Sequence, residues 1–269
     1  DIGRGQIEVT ASVGIAVADN HETDPDRVLQ DADISLYRAK DMGRNQFVVF
    51  HATMADDARI RHELENELRA AIGTEQIVMH YQPIIEARSG KVTSVEALVR
   101  WHHPERGTIA PDRFVALAES CGLMVPLGDH ILETVLREAN RFGDLDVSIN
   151  LSPLQLRQRI LPRRISTLCR RFHVDPARIT FEVTESILLD SSGVCAEVFE
   201  ALSELGFRTA LDDFGTGYSS LGYLHRFRFD KIKIDRCFVS AGSLARMRPI
   251  VEAIVHIGRG LKMEIVAEG

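Results

Sequence analysis

From residue 77 to the end of the chain, short β-branched runs alternate with longer segments of helical periodicity. Strand-like runs fall at 77–85, 92–101, 147–151, 179–184, 208–213, 230–235 and 264–267. Helical patterns at 127–142, 154–172, 195–205 and 248–261 separate most of them. Consecutive parallel strands need a crossover between them, so this alternation predicts a largely parallel α/β sheet. It is either doubly wound or a (β/α)8 barrel. The chain stops just after the seventh run, so a barrel would lack its last strand and leave two open edges.

The first 50 residues read as strand (7–18), helix (25–40) and strand (46–50), with Gly43 ending the helix. Two strands and one helix cannot close a core, so the sequence is read as starting inside a domain. Thr53 to Asp56 matches a capping box, and the stripe Ile60, Leu64, Leu68, Ile72 predicts a linker helix that ends at Gly73. That stripe serves either its own domain or a partner helix.

Bulk properties exclude several classes. A net charge of −7 argues against binding duplex nucleic acid through a basic surface, though not against a small phosphorylated ligand. No apolar run is long enough to span a bilayer, so no membrane contact is expected from this segment. Four dispersed cysteines without a C-x-x-C pair fit a reducing cytoplasm. Ten histidines lack H-E-x-x-H spacing, and the adjacent pair His102 and His103 reads as a polar loop after a strand.

The strand-like runs end in polar groups: Asn150, Glu182, Asp212 with Asp213, Lys233 and Glu268, while Glu96 lies on an earlier run. In parallel α/β folds these ends converge on one face, and a dense carboxylate cluster there must be neutralised by cations or protons. Glu96, Leu98 and Arg100 share parity, aiming a carboxylate and a guanidinium at one face, as a metal and phosphate site or a buried ion pair. Asn150 offers a neutral oxygen ligand, or closes a turn. Glu182 lies inside its strand; Glu185 comes at its end, where a loop-anchoring role suits it. Adjacent residues of a strand face opposite ways, so Asp212 and Asp213 share a site only if the strand has ended, with Gly215 and Gly217 allowing the exit. Such a pair favours bridging metals, or else caps a helix. Lys233, of the same parity as Asp235, balances charge or orients a water. Two divalent ions plus Lys233 would offset Glu96, Glu182, Asp212, Asp213 and Glu268, an arrangement suited to phosphodiester hydrolysis by a water activated between two metals.

At these motifs the chain resembles a known family. Tyr81-Gln-Pro83, Glu96-Ala-Leu-Val-Arg-Trp101, Asn150-Leu-Ser152, Glu182-Val-Thr-Glu185, the 212–221 loop, Lys233-Ile-Asp235 and Ala267-Glu-Gly269 are similar to the EAL family, bacterial phosphodiesterases that open cyclic di-GMP to linear pGpG. The resemblance implies a modified TIM (β/α)8 barrel with an antiparallel first strand. It implies two Mg²⁺ or Mn²⁺ ions held by Glu96, Asn150, Glu182, Asp212 and Asp213, with inhibition by Ca²⁺ expected. Lys233 and Glu268 are then expected to serve the attacking water, and Glu185 to hold the Asp212 loop. Gln82, Leu98, Arg100 and Asp235 are expected to contact substrate. The family's dimer contact falls in the 212–221 loop region. Residues 1–52 resemble the C-terminal end of a GGDEF diguanylate cyclase domain, through Ala11-Ser-Val-Gly-Ile15 and Ala39-Lys-Asp-Met-Gly-Arg-Asn45. The expected organisation is therefore 1–52, a linker helix over 53–73 and an EAL-like barrel over 74–269. The alternative function is a cyclic di-GMP sensor with little turnover.

Overall fold

The structure, a computed structural model, describes residues 9–18, 24–185, 193–215, 227–240 and 244–268. Two compact units divide the chain, Asp1–Arg69 and Ala70–Gly269.

In the first unit β1 (Val13–Ile15) pairs in parallel with β2 (Phe47–Val49), and the helix Pro25–Asp41 lies between them in sequence. Asp24 caps that helix by accepting from the Asp26 amide, and Pro25 supplies the preset φ of a first helical residue. Gly14 is required by closeness: a Cβ there would lie 2.1 Å from the Ala32 carbonyl oxygen. The β1 strand is shorter than the β-rich run suggests, because among the described residues of that run only Val13–Ile15 have a partner strand.

The helix Ala52–Ala71 starts before the expected cap. The Met54 amide donates to the His51 carbonyl, so Thr53 sits within the first turn rather than capping it. Gly73 does end the segment, at φ 87°.

In the second unit β3 (Ile77–Ile85) runs antiparallel to β4 (Val92–His103), and β5 (Gly107–Ile109) pairs antiparallel on β4. Parallel strands β6 (Asp146–Asn150), β7 (Ile179–Thr184), β8 (Arg208–Phe214), β9 (Lys231–Ile234) and β10 (Glu264–Ala267) complete the order β10-β9-β8-β7-β6-β4-β3. This is the TIM-like barrel architecture with its first strand reversed. Helices Met124–Glu138, Leu161–Phe172, Val194–Glu204 and Leu244–Gly260 lie between successive strands in the chain. Trp101, Phe114 and Phe181 are wholly buried, each contributing about 2–3 kcal/mol of apolar burial.

Two sequence expectations change here. His102 and His103 end β4 rather than form a loop; His103 is buried, and its Nδ1 accepts from the Glu105 and Arg106 amides. The single helix expected over 154–172 is two, Pro153–Leu156 and Leu161–Phe172, the second with Pro162 in its first turn. The strand β5 and the helix Pro111–Ser120 carried too short a pattern to be read beforehand. Among the described residues no helix is long and apolar enough to cross a membrane.

Candidate metal and active site

The polar strand ends meet around one ammonium group. Lys233, on β9, is 2% exposed, because its strand lies inside the sheet and its side chain points inward. Its Nζ donates to Glu182 Oε2 at 2.6 Å, Glu96 Oε2 at 3.1 Å and Asp212 Oδ2 at 3.2 Å. It also pairs with Glu268 Oε1 at 2.8 Å. Glu96 comes from β4, Glu182 from β7 and Asp212 from β8, while the Glu268 amide extends the β10 ladder by donating to Ile234. Asn150 closes β6, and its Nδ2 donates to Glu96 Oε1 at 3.0 Å.

Asp212 and Asp213 reach the site by a different route from the one read in sequence. The strand has not ended: β8 runs on to Phe214, and its register against β9 shifts between Leu211 and Phe214. Asp213 sits at φ 54°, a left-handed conformation that Asp tolerates better than most residues. That irregularity breaks the alternation of faces, as a β-bulge does, and lets neighbouring carboxylates serve one site.

The acids form two groups of three, Glu96, Glu182 and Asp212, and Asp212, Asp213 and Glu268. Within each group the ligand oxygens lie within 4.8 Å of one another. Asp212 belongs to both, so its carboxylate joins the two groups. All donors are hard oxygens, so the set fits a hard divalent cation and not a thiolate-preferring metal. The buried ammonium within the first group shows that the cage demands positive charge.

Electrostatics agree. Burial raises Glu182 to about 7, with Lys233 opposing that rise and Glu96 adding to it. Burial also raises Asp213 to about 6, followed by repulsion from Asp212. Burial alone would lower Lys233, but Glu182, Asp212 and Glu96 outweigh it and hold the ammonium well above the usual lysine range.

The remaining predicted residues lie on β3, β4 and just beyond the ends of β7 and β9. Gln82 on β3 faces Glu96 across the antiparallel pair, so both leave the same face of the sheet. Leu98 and Arg100 continue that face along β4, and Arg100 Nη1 donates to the Val99 carbonyl at 2.8 Å. Asp235 caps the helix Arg236–Val239, accepting from the Cys237 amide at 2.9 Å, and the Cys237 contact holds its carboxyl low. Buried Glu185 accepts from the Gly215 amide at 3.4 Å. Gly215 itself has φ 99° and packs so closely that a Cβ would lie 2.9 Å from Phe238 Cζ. Gly217, Gly269 and the rest of the 212–221 loop after Gly215 lie outside the described residues.

Sequence reading passed over Gln155 and Gly128. Ser152 and Gln155 form a capping box on the turn that follows Asn150. The Ser-x-x-Gln spacing was the available signal.

A reversed first strand, a TIM-like sheet and a shared-carboxylate cage at its strand ends define a class of α/β barrel with a cation-demanding site. Residues 65–269 match the EAL domain family, and residues 2–46 match the diguanylate cyclase, GGDEF domain. The chain belongs to the EAL domain family. It is 37% identical over 276 residues to MucR of Pseudomonas aeruginosa, a bifunctional diguanylate cyclase/cyclic di-GMP phosphodiesterase, covering 100% of this chain and 40% of that protein. It is 38% identical over 273 residues to PdeR of Escherichia coli, a cyclic di-GMP phosphodiesterase, covering 100% of this chain and 41% of that protein. The chain thus spans about two fifths of the length of these relatives. A solved structure of the MucR phosphodiesterase in complex with c-di-GMP is 38% identical with a TM-score of 0.71, over 78% of this chain and 86% of that one. The EAL enzyme Bd1971 in its cGMP-bound form gives a TM-score of 0.74 at 26% identity, over 92% of this chain and 67% of that one.

Proposed function

We propose that this chain carries a metal-dependent phosphodiesterase that hydrolyses cyclic di-GMP to linear pGpG. The observation that carries this reading is the sharing of Asp212 between two groups of three carboxylates, one of them holding the Lys233 ammonium. The likeness to MucR and PdeR, and to a MucR structure described as a c-di-GMP complex, supports the choice of substrate.

Glu96, Asn150, Glu182, Asp212 and Asp213 are the residues that would hold two Mg²⁺ or Mn²⁺ ions. When bound, such ions supply Lewis-acid polarisation of the phosphoryl oxygen and stabilise charge on the leaving oxygen. Lys233 screens the repulsion among the carboxylates, holds them together and so positions the attacking water. Glu268, at 32% the most exposed acid bonded to Lys233, takes up the proton of that water. The water oxygen then bonds to phosphorus, and one phosphorus–ribose oxygen bond breaks. Gln82, Leu98, Arg100 and Asp235 surround the substrate, with Arg100 suited to a phosphate oxygen. Glu185 steadies the turn at Gly215 through its amide contact. A homodimer through the 212–221 loop region, a cytoplasmic location and the organisation 1–52, 53–73 and 74–269 belong to the same proposal.

Incubation of the full chain with cyclic di-GMP and Mg²⁺ or Mn²⁺, followed by chromatography, should yield pGpG. Tight binding without product would point to a sensor instead and overturn the catalytic reading.

A further inference from the structure

Asn150 is the one uncharged member of the candidate ligand set, and its carboxamide must be aimed correctly to be useful. The chain leaves β6 at Asn150, and two residues later Ser152 opens the short helix Pro153–Leu156. Ser152 Oγ accepts from the amides of Leu154 at 3.2 Å and Gln155 at 3.4 Å. In return the Ser152 amide donates to Gln155 Oε1 at 3.1 Å. Leu151 is tied down on the other side, where its amide donates to the Glu182 carbonyl at 2.9 Å. The backbone is therefore held at both residues after Asn150.

Gln155 is itself held from behind. It is 3% exposed, and its side chain lies on the backbone of Gly128, in the helix Met124–Glu138. A Cβ on Gly128 would lie 2.1 Å from Gln155 Nε2 and 2.5 Å from its Cδ. Gly128 has no positive φ, so this glycine is there for space. Helix propensity favours alanine over glycine at such a position, and the cost is accepted for the contact.

We infer that Gln155, seated on Gly128, is a positioning residue: its hydrogen bond to the Ser152 amide sets the exit of β6 and so aims the Asn150 carboxamide at Glu96 and the metal it shares. The inference rests on the reading of Asn150 as a ligand. Gln155 bonds to the Ser152 amide and rests on Gly128, so its effect on Asn150 passes through the backbone.

The experiment is a titration of the full chain with Mn²⁺ alone, read by electron paramagnetic resonance, with folding checked by circular dichroism. Gln155→Leu keeps the bulk and removes the acceptor; it should weaken Mn²⁺ binding roughly tenfold or more. Gln155→Glu keeps an acceptor for the Ser152 amide and should restore binding to near the parent value. Gly128→Ala, which displaces Gln155 from the opposite side, should weaken binding in the same way. Asn150→Ala is the control. If Asn150→Ala loses affinity while folded Gln155→Leu and Gly128→Ala bind like the parent, the positioning role is wrong. A parent-like affinity in Asn150→Ala removes the ligand reading itself, and this inference with it. A loss in Gln155→Leu that Gln155→Glu does not restore would also overturn it, because packing rather than the hydrogen bond would be the cause.

Discussion

Lys233 Nζ lies 2.6 Å from Glu182 Oε2, with both side chains at most 2% exposed. An ammonium and a carboxylate so deeply buried are each costly alone and tolerable only together. The pair links β9 to β7 across β8, and so ties together the strands that supply the cluster.

Lys233→Ala is therefore expected to act twice. Removing one partner of a buried ion pair costs about 3–5 kcal/mol, visible in urea unfolding of chelator-treated protein. Turnover of cyclic di-GMP should fall about 10²–10³-fold, as for loss of a preorganised group that positions the attacking water. Near-parent rates in this variant would remove the assigned role.

Divalent ions should stabilise the folded chain. Mn²⁺ at 100 times its Kd adds about 2.7 kcal/mol by linkage, read as a rise in unfolding midpoint after chelator treatment. Ca²⁺ should raise the midpoint as well but support no turnover, because it prefers looser and higher coordination. An unfolding midpoint that ignores both ions would count against a metal site.

Asp213 tests the bulge. Its φ of 54° suits Asp, Asn and Gly but costs a β-branched residue about 1–2 kcal/mol. Asp213→Val should consequently be less stable than Asp213→Asn by that amount in thermal unfolding, although both lose the carboxylate and with it Mn²⁺ affinity. Equal stabilities would mean that the backbone there is not left-handed.

Trp101 separates stability from chemistry. It is fully buried, stacks edge-on against Phe114 at 5.8 Å and donates to Gln76 Oε1 at 3.3 Å. Its parity on β4 is opposite to that of Glu96, Leu98 and Arg100. Trp101→Ala should cost about 3–5 kcal/mol while leaving Mn²⁺ affinity of the folded protein unchanged. A large affinity loss in folded protein would show that the two faces are coupled.

Much of the architecture was legible because its signals are local. The runs at 77–85, 179–184 and 264–267 coincide with β3, β7 and β10, since β-branched strands bounded by turns announce themselves. The capping box read at Thr53 failed because the helix had an earlier start available at Ala52, and motif spacing does not rank competing starts. His103 was misread because a buried imidazole that accepts from its own turn looks, in sequence, like any polar loop residue. The paired aspartates come together by a route other than the strand end read in sequence: a register shift cannot be seen without the partner strand.

Parity and residue type, which the sequence carries alone, determined that carboxylates, a carboxamide and a lysine would stand at strand ends on one face. What only the tertiary structure decided is which of them meet. Lys233 and Glu96 are 137 residues apart, yet the ammonium lies 3.1 Å from that carboxylate. Side-chain direction is set within a few residues by backbone geometry, whereas separation across a sheet depends on strand order, register and curvature. Those are properties of the packed barrel, in which every strand fixes the place of its neighbours.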